Sequence, residues 1–258
     1  MGTLVPGLCS VTMRRRPAAE VVAVAAAAGL ATVEWAGDHH APPGDRATAA
    51  ALRARTADAG LTVAAYGSYL RAGGTDPAEI AATVATAVAL GAPRIRIWAG
   101  TLASAEATPA QRAAVAADTR RICDASADAG IAVAFECHAR TLTDDPASTL
   151  ALLADVARDN AATYWQPPND LPDAGAIATL DALLPHVAAA HAFSWWPGTQ
   201  RRRLHERRAL WQAAVGRLNT GDRSRDVLLE FVPDDDPALV APEAATLHRL
   251  LGLPPRSA

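Results

Sequence analysis

Short apolar runs alternate with longer alanine-rich stretches along the whole chain. The apolar runs, for example ATVEW, LTVAAY, RIRIW and IAVAFE, are rich in β-branched and aromatic residues and indicate buried strands. The stretches between them have the composition of helices, because alanine has the highest helix propensity. The pattern predicts strands near residues 5–12, 31–35, 61–66, 94–99, 131–136, 162–166, 187–193 and 226–232. It predicts helices at about 17–29, 45–59, 77–90, 109–129, 146–159, 173–184, 203–218 and 238–251.

Both ends of the predicted helices carry boundary signals. A residue that can cap a helix precedes proline at four predicted starts, and proline is favoured at the first helical position. These pairs are Asp76-Pro77, Thr108-Pro109, Asp145-Pro146 and Asp236-Pro237. Glycine follows four helical stretches, at the place where a left-handed residue ends a helix. These glycines are Gly29, Gly60, Gly91 and Gly130.

Eight strand–helix alternations in 258 residues match the size and rhythm of a (β/α)8 TIM barrel, an α/β fold. A doubly wound open sheet is the alternative, but it would carry a glycine-rich phosphate-binding turn after its first strand, and GLCSVT is not one. No Pro/Gly/Ser-rich linker divides the chain. We therefore predict a single barrel domain over residues 1–258.

Composition excludes several classes of function. All 24 basic residues are arginine, so Schiff-base, pyridoxal-phosphate and P-loop chemistry, each of which needs a lysine, are excluded. A net charge of −3 gives no reason to expect nucleic acid or an anionic membrane as partner. No apolar run reaches the ~20 residues of a membrane span. The three cysteines form no CxxC motif and no disulfide framework is expected, which favours a reducing cytoplasm.

Polar residues close the apolar runs where strands five to eight end. Glu136 ends IAVAFE and Glu230 ends DVLLE, with Gln166 and His191 at similar places on the strands between them. A buried carboxylate must be paired, hydrogen-bonded or bound to a metal, because its desolvation is costly. In a TIM barrel, residues at these strand ends form the active site.

Two carboxylates, an imidazole and an amide oxygen make a ligand set suited to a divalent metal. Mn²⁺ is favoured, with Mg²⁺, Co²⁺ or Zn²⁺ as alternatives. The other interpretation is that Glu136 and Glu230 pair with inward arginines such as Arg96. We prefer the metal, since four ligand-type residues recur at corresponding strand ends.

The order Glu, polar residue, His and Glu on strands five to eight resembles that of the xylose isomerase-like TIM barrels. That superfamily includes sugar and sugar-phosphate isomerases and epimerases, alongside endonuclease IV. The resemblance covers essentially the whole chain, through GLCSVTMR, VEWAGDHHAPPGD, AYGSYLR, APRIRIWAG, AFECHARTLTD, YWQP, HAF and LLEF. It implies that Glu136, Gln166, His191 and Glu230 hold one metal, and that the two glutamates act as acid and base on an enediolate. The chain departs from the epimerases at Gln166, where they usually have aspartate, and at Pro168-Asn169, where they often have histidine.

Further strand-end residues are candidates for substrate binding. His138, two residues beyond Glu136, is predicted to contact a substrate hydroxyl, with a role as fifth metal ligand as the alternative. In the loop SWWPGTQRRR, Trp195 could stack on a sugar ring and Arg201 could bind an anionic group, or the three arginines simply begin a solvated helix. The remaining candidates are Glu34, Tyr66 and Trp98, with an arginine partner as the alternative role for Glu34.

These residues predict a metal-dependent isomerase or epimerase acting on a sugar or sugar phosphate. The alternatives are a lyase or dehydratase that uses the same site, and a sugar-binding barrel that has lost catalysis. A DNA-repair function like that of endonuclease IV is disfavoured, because its multi-zinc cluster needs more ligands and an acidic chain binds phosphate backbones poorly. A homodimer or homotetramer is expected from the resemblance.

Overall fold

The computed structural model describes residues 2–254, which form a closed barrel of eight parallel strands. The barrel order is β1, β10, β7, β6, β5, β4, β3, β2, with β1 pairing with both β2 and β10 to close it. The barrel strands are β1 (Leu4–Cys9), β2 (Thr32–Ala36), β3 (Thr62–Arg71), β4 (Arg94–Trp98), β5 (Ala132–Phe135), β6 (Ala161–Trp165), β7 (Val187–Ala192) and β10 (Arg225–Leu229). The predicted TIM barrel is confirmed.

A helix follows each barrel strand and covers its outer side. The helices are α1 (Ala18–Ala27), α2 (Arg46–Asp58), α3 (Pro77–Leu90), α4 (Pro109–Ala127), α5 (Pro146–Val156), α6 (Asp173–Leu183), α7 (Arg208–Leu218) and α8 (Val240–Leu251). The predicted boundary signals are used: Asp76, Thr108 and Asp145 each accept a backbone N–H at a helix start. Gly91 ends α3 with φ of 66°, a left-handed conformation that glycine adopts without strain. None of the helices in residues 2–254 is long and apolar enough to cross a membrane.

The core lies in two layers because side chains alternate along each strand. Outward residues such as Val133 and Phe135 pack with the helices in the main hydrophobic cluster. Inward residues such as Ala134, Ala189 and Leu228 form a smaller cluster inside the barrel. The same alternation directs the side chains two residues further along these strands toward the mouth of the barrel.

The structure differs from the predicted elements mainly near the mouth. The first strand ends at Cys9, and residues Ser10–Met13 form a 3-10 helix. After β7, an unpredicted hairpin pairs β8 (Ser194–Trp195) with β9 (Arg201–Arg202). Two-residue strands carry too little hydrophobic periodicity to be visible in a sequence. The strand β3 runs on to Arg71 and so carries its last side chains to the rim.

Candidate functional site

The mouth of the barrel collects the four ligand-type residues predicted from the sequence. Glu136, Gln166 and Glu230 directly follow β5, β6 and β10, and His191 lies within β7. Glu136, His191 and Glu230 are buried, whereas Gln166 is half-buried. The carboxyl ends of parallel strands meet at one end of a barrel, so these side chains share one buried space.

His191 is the centre of this group. Its Nδ1 atom lies 2.9 Å from Oε1 of Gln166 and 3.4 Å from Oε2 of Glu230. Its Nε2 atom is buried without a hydrogen-bond partner among the described residues, and Oε1 of Glu34 lies 3.6 Å from it. A buried ring nitrogen without a partner is unusual, because desolvation is then uncompensated.

The donor atoms around His191 fit a divalent cation. Adjacent ligands of an octahedral ion with bonds of about 2.1 Å lie roughly 3 Å apart, close to the spacing of the Gln166, His191 and Glu230 atoms. The sulfur of Cys9 also lies within 4.8 Å of ligand atoms of His191 and Glu230. Burial raises the pKa of the Cys9 thiol well above its ordinary value, so the thiol is protonated as long as no cation is bound.

Glu136 has partners of its own. Its Oε2 atom accepts hydrogen bonds from a guanidinium N–H of Arg96 and from Nε1 of Trp98, the latter at 2.5 Å. Nε of Arg96 donates to Oε1 of Glu34 at 2.9 Å, so one buried arginine joins two carboxylates. The structure thus contains the alternative arginine pairing for Glu136 and for Glu34, but gives Glu230 no arginine partner among residues 2–254.

Burial and charge hold the three carboxyl groups in different states. Burial alone would raise the pKa of Glu34 and of Glu136, but Arg96 lowers both below the ordinary range. Burial raises the pKa of Glu230 to about 7, because the attraction of His191 offsets only part of the desolvation. Burial lowers the pKa of His191, but Glu230 and Glu34 reverse the effect and raise it. Of these three carboxyl groups, Glu230 is the one whose pKa is raised toward neutral pH.

A second set of inward residues, below the mouth, was not singled out from the sequence. The Tyr164 hydroxyl donates to Oε2 of Glu34 at 2.8 Å and accepts from Nε of Arg94 at 3.1 Å. Arg94 also pairs with Asp226. The signal is present in RIRIW and TYWQ, because alternation puts Arg94 and Arg96 on one face of β4 and aligns Tyr164 with Gln166.

Gly67 makes room for the pair of Glu34 and Arg96. A Cβ atom at this position would lie 2.8 Å from Oε1 of Glu34 and 3.0 Å from a guanidinium nitrogen of Arg96. Gly67 therefore faces the inside of the barrel, and its neighbour Tyr66 faces the other way. Tyr66 is fully buried and its hydroxyl donates to the carbonyl of Ala41, so the structure does not bring this candidate to the mouth.

Trp98 and His138 form part of the rim. Their rings lie 5.5 Å apart, and the guanidinium of Arg71 lies 3.8 Å from the centroid of the Trp98 ring. His138 borders a cavity of about 600 Å³ that extends from Gln166 along the loops after β5 and β6. The structure thus brings Glu34, Trp98 and His138 together with the four ligand-type residues.

The hairpin after β7 contributes Trp195 to a cluster of aromatic rings. The Trp195 ring lies 5.4 Å from Phe193 and 5.1 Å from Phe231, the residue after Glu230. Arg201 lies beside these rings and donates to Asp235 at 2.5 Å, and Arg203 pairs with Glu243. Arg201 and Arg202 lie in β9 rather than in a solvated helix, and the carboxylates already neutralise much of the charge of this loop.

Comparison with known structures agrees with the fold. The probable 3-DHS dehydratase AsbF of Bacillus anthracis superimposes with a TM-score of 0.77 at 20% identity, covering 96% of this chain and 98% of that one. A D-allulose 3-epimerase from Methylomonas sp. gives 0.74 at 18% identity, covering 97% and 99%. A xylose isomerase domain protein from Planctomyces limnophilus gives 0.74 at 20% identity, covering 98% and 97%. At such identities the likeness shows a shared fold.

Sequence comparison assigns the family. No curated protein is significantly similar to the chain in sequence. The model of the xylose isomerase-like TIM barrel family matches residues 22–218, which is most of the chain and includes β2 to β7 and the helices between them. The chain therefore belongs to the xylose isomerase-like TIM barrel family.

Proposed function

We propose that this protein is a divalent-metal-dependent isomerase or epimerase of sugars or sugar phosphates, in which Glu136 and Glu230 transfer protons. The observation that carries the proposal is the arrangement around His191, whose Nδ1 atom has an amide and a carboxylate oxygen at ligand spacing. Structural likeness to sugar 3-epimerases supports a carbohydrate substrate without specifying it.

Gln166, His191 and Glu230 would hold the cation, and Glu136 would complete the site from the side of Arg96. A divalent cation bound there would polarise a substrate carbonyl and its neighbouring hydroxyl, which makes the adjacent C–H more acidic. The neutral amide of Gln166 supplies an oxygen ligand but no charge. The ligand set of this protein is therefore less negative than a set with aspartate at that position. Mn²⁺ is the favoured ion, with Mg²⁺, Co²⁺ or Zn²⁺ as alternatives.

Glu136 and Glu230 are suited to remove a proton from the substrate and to return it. Glu136 is ionised at neutral pH because Arg96 lowers its pKa, and Arg96 and Trp98 fix its orientation. Glu230 has no arginine partner among residues 2–254, so it would take up a proton in one step and release it in the next. Return of the proton to the opposite face of the same carbon gives an epimer, and return to the neighbouring carbon gives an isomer. His138 and Trp98 would contact substrate hydroxyls at the rim.

Solvent exchange tests the proposal. The protein is loaded with Mn²⁺ in deuterated water and incubated with D-fructose, D-allulose, D-tagatose and D-ribulose and with their phosphates, and exchange and products are followed by NMR. We expect deuterium at the carbon next to the carbonyl together with an isomeric sugar. Glu136→Gln and Glu230→Gln should each reduce the rate by about 10²-fold or more. Glu106→Gln, at an exposed site, is the matched control.

Each other outcome points to a different function. Full turnover in excess chelator would remove the metal from the mechanism. A keto-deoxy product would indicate elimination, the chemistry of a lyase or dehydratase, at the same site. A protein that binds a sugar but takes up no metal and catalyses no exchange would be a sugar-binding barrel.

A further inference from the structure

We propose that Glu34 positions His191 for metal binding: its carboxylate accepts the Nε2–H of His191, so that Nδ1 presents its lone pair to the cation. The inference rests on the proposed function, because it requires a divalent cation beside Nδ1, and it adds a residue that supports the metal site from outside the ligand set. In protein metal sites, a carboxylate bound to the second ring nitrogen fixes the tautomer and the orientation of a ligating histidine.

The two ring nitrogens of His191 have different surroundings. Nδ1 lies 2.9 Å from Oε1 of Gln166, and because an amide oxygen can only accept, Nδ1 carries a proton as long as no cation is bound. A cation at Nδ1 replaces this proton, since a metal binds the lone pair of a neutral imidazole, and the one proton of the ring is then on Nε2. Nε2 is buried, has no hydrogen-bond partner within residues 2–254 and lies 3.6 Å from Oε1 of Glu34.

Glu34 is held in place to accept that proton. Its Oε1 atom accepts from Nε of Arg96 at 2.9 Å, and its Oε2 atom accepts from the Tyr164 hydroxyl at 2.8 Å. A carboxylate oxygen can accept two hydrogen bonds, so Oε1 keeps the capacity to accept from His191. The distance of 3.6 Å to Nε2 exceeds a typical N–H···O distance by roughly 0.7 Å. A small rotation of the imidazole closes this gap once Nε2 carries the proton.

Packing confines the His191 ring to this orientation. The centroid of the Tyr164 ring lies 4.8 Å from that of His191, and both residues are completely buried. Tyr164 therefore contacts the imidazole with its ring and Glu34 with its hydroxyl. Nδ1 lies beside Gln166 and Glu230, and Nε2, the other nitrogen of the ring, lies beside Glu34. The ring thus lies between the proposed ligands on one side and Glu34 on the other.

The burial of Glu34 favours this role over a contact with substrate. Glu34 is 2% exposed and does not border the cavity that contacts His138 and Gln166. Its ion pair with Arg96 uses only part of the hydrogen-bonding capacity of Oε1. The proposal therefore assigns Glu34 to His191 rather than to the substrate.

Calorimetric titration with Mn²⁺ tests the role of Glu34 against a matched control. Glu34→Gln keeps the size of the side chain and removes its charge, and we expect it to bind Mn²⁺ about 10- to 100-fold more weakly than the wild type. Glu34→Asp keeps the charge for Arg96, which retains the fold, but withdraws the carboxylate from His191 by one methylene and should also weaken binding. Glu243→Gln breaks another buried pair, between α8 and Arg203, and should leave the affinity unchanged.

Nitrogen NMR of the Zn²⁺-loaded protein, with isotope-labelled histidine, shows which ring nitrogen carries the proton. Zn²⁺ is diamagnetic, and comparison with His191→Ala identifies the signals of His191. We expect the proton on Nε2, with its resonance shifted downfield by a charge-assisted hydrogen bond to the carboxylate. In Glu34→Gln this shift should decrease. A role of Glu34 in folding alone would not move the signal.

Several results would overturn the role of Glu34. They are an affinity of Glu34→Gln equal to that of Glu243→Gln, wild-type affinity in Glu34→Asp, a cation on Nε2, and an Nε2–H signal that is the same in Glu34→Gln as in the wild type. Solvent exchange on the same samples distinguishes the two proposals. Exchange together with equal affinities leaves the reaction standing and removes only the role of Glu34. A loss of affinity in Glu34→Gln without exchange in the wild type contradicts only the reaction, and a wild type that takes up no Mn²⁺ contradicts both.

Discussion

Arg96 shows what a single buried residue does in this barrel. Arg96 is 3% exposed, and its guanidinium contacts Glu34 and Glu136, which are as deeply buried. Two carboxylates in such a space repel each other and each is costly to desolvate, so the arginine that joins them determines whether both stay ionised. Gly67 leaves room for this network, because any larger side chain at that position would occupy the space of the ion pair between Glu34 and Arg96.

Replacement of Arg96 by methionine should destabilise the protein by roughly 3–5 kcal/mol, because two buried carboxylates lose their common cation. The free energy of unfolding is measured by urea titration. Arg158→Met breaks a solvent-screened, exposed pair with Asp124 and should change that free energy far less. A cost for Arg96→Met no larger than that of this control would show that the network contributes nothing to folding.

The sequence predicted the residues of the site better than their pairing. Glu136, Gln166, His191 and Glu230 were predicted because each interrupts or ends an apolar run. The structure places Gln166 and Glu230 beside His191, whereas Glu136 pairs with Arg96. The partners of Glu136 depend on which inward side chain of β4 extends across to β5. The alternation of side chains along a strand predicts which face a residue occupies, but it does not predict which residue of the next strand it contacts. Tyr66 and Gly67 illustrate the limit, since an error of one residue exchanges the inside of the barrel for the outside.

At the scale of elements, helix boundaries were the most predictable feature because they depend on local chemistry. Caps such as Asp76 and Thr108 act within three residues of themselves, and Gly91 ends its helix through its own backbone. The hairpin of β8 and β9 is held instead by distant contacts, such as the hydrogen bond from Trp211 to Ser194 at 3.1 Å. Such contacts cannot be read from local sequence.

The end of α5 departs from the rule that glycine occupies a left-handed cap. Ala157 caps this helix with φ of 47°, and its side chain is exposed. Ala157→Gly should stabilise the protein by about 0.5–1 kcal/mol, because the left-handed strain of alanine exceeds the extra entropy lost by glycine. Ala51→Gly, at an exposed position inside α2, should destabilise it by about 1 kcal/mol. Thermal and urea unfolding measure both, and the same sign for the two variants would contradict the argument.

Asp118 connects α4 to the loop after β3. Its Oδ2 atom accepts hydrogen bonds from the amides of Gly73, Gly74 and Thr75 and from the Thr75 hydroxyl, at 2.6–3.1 Å. Burial alone would raise the pKa of this carboxyl, but these donors lower it below the ordinary range. One ionised side chain therefore holds the loop that follows Arg71 and leads into α3.

This pairing predicts a dependence of stability on pH. A lowered carboxyl pKa adds stability that is complete above the unfolded value of about 3.9 and is lost as the pH falls through the folded value. Asp118→Asn should be less stable than the wild type by about 2 kcal/mol at pH 7, and the gap should narrow below about pH 4. Urea titrations at pH 7 and below about pH 4 measure this difference in the free energy of unfolding, with the exposed Asp155→Asn as control. A gap that stays constant with pH would mean that the charge of Asp118 is not what holds the loop.

At the scale of the whole molecule, the interior of the barrel contains a network of buried charged side chains. A continuous series of polar contacts runs inside it from Asp226 through Arg94, Tyr164 and Glu34 to Arg96 and Glu136. These side chains come from β10, β4, β6 and β2 and from the residue after β5, so only closure of the sheet brings them together. His191 and Glu230 lie at the upper end of this series, where carboxylates outnumber arginines, and this excess of negative charge favours a cation.

Gln166 is the residue through which the whole-molecule charge balance can be tested. Gln166→Glu keeps the size of the side chain and adds a negative charge beside His191 and Glu230. We expect this variant to unfold more easily without metal, because carboxylates repel, and to bind Mn²⁺ at least about tenfold more tightly, because Coulomb attraction in a buried site is strong. His191→Ala should abolish binding, and Gln212→Glu, exposed on α7, should leave it unchanged.

Calorimetry gives the affinity of each variant for Mn²⁺, and unfolding at a Mn²⁺ concentration of 100 times the dissociation constant should show about 2.7 kcal/mol of added stability. Equal affinities in the wild type, Gln166→Glu and His191→Ala would place any bound ion elsewhere and leave Glu34 and Glu136 as partners of Arg96 alone.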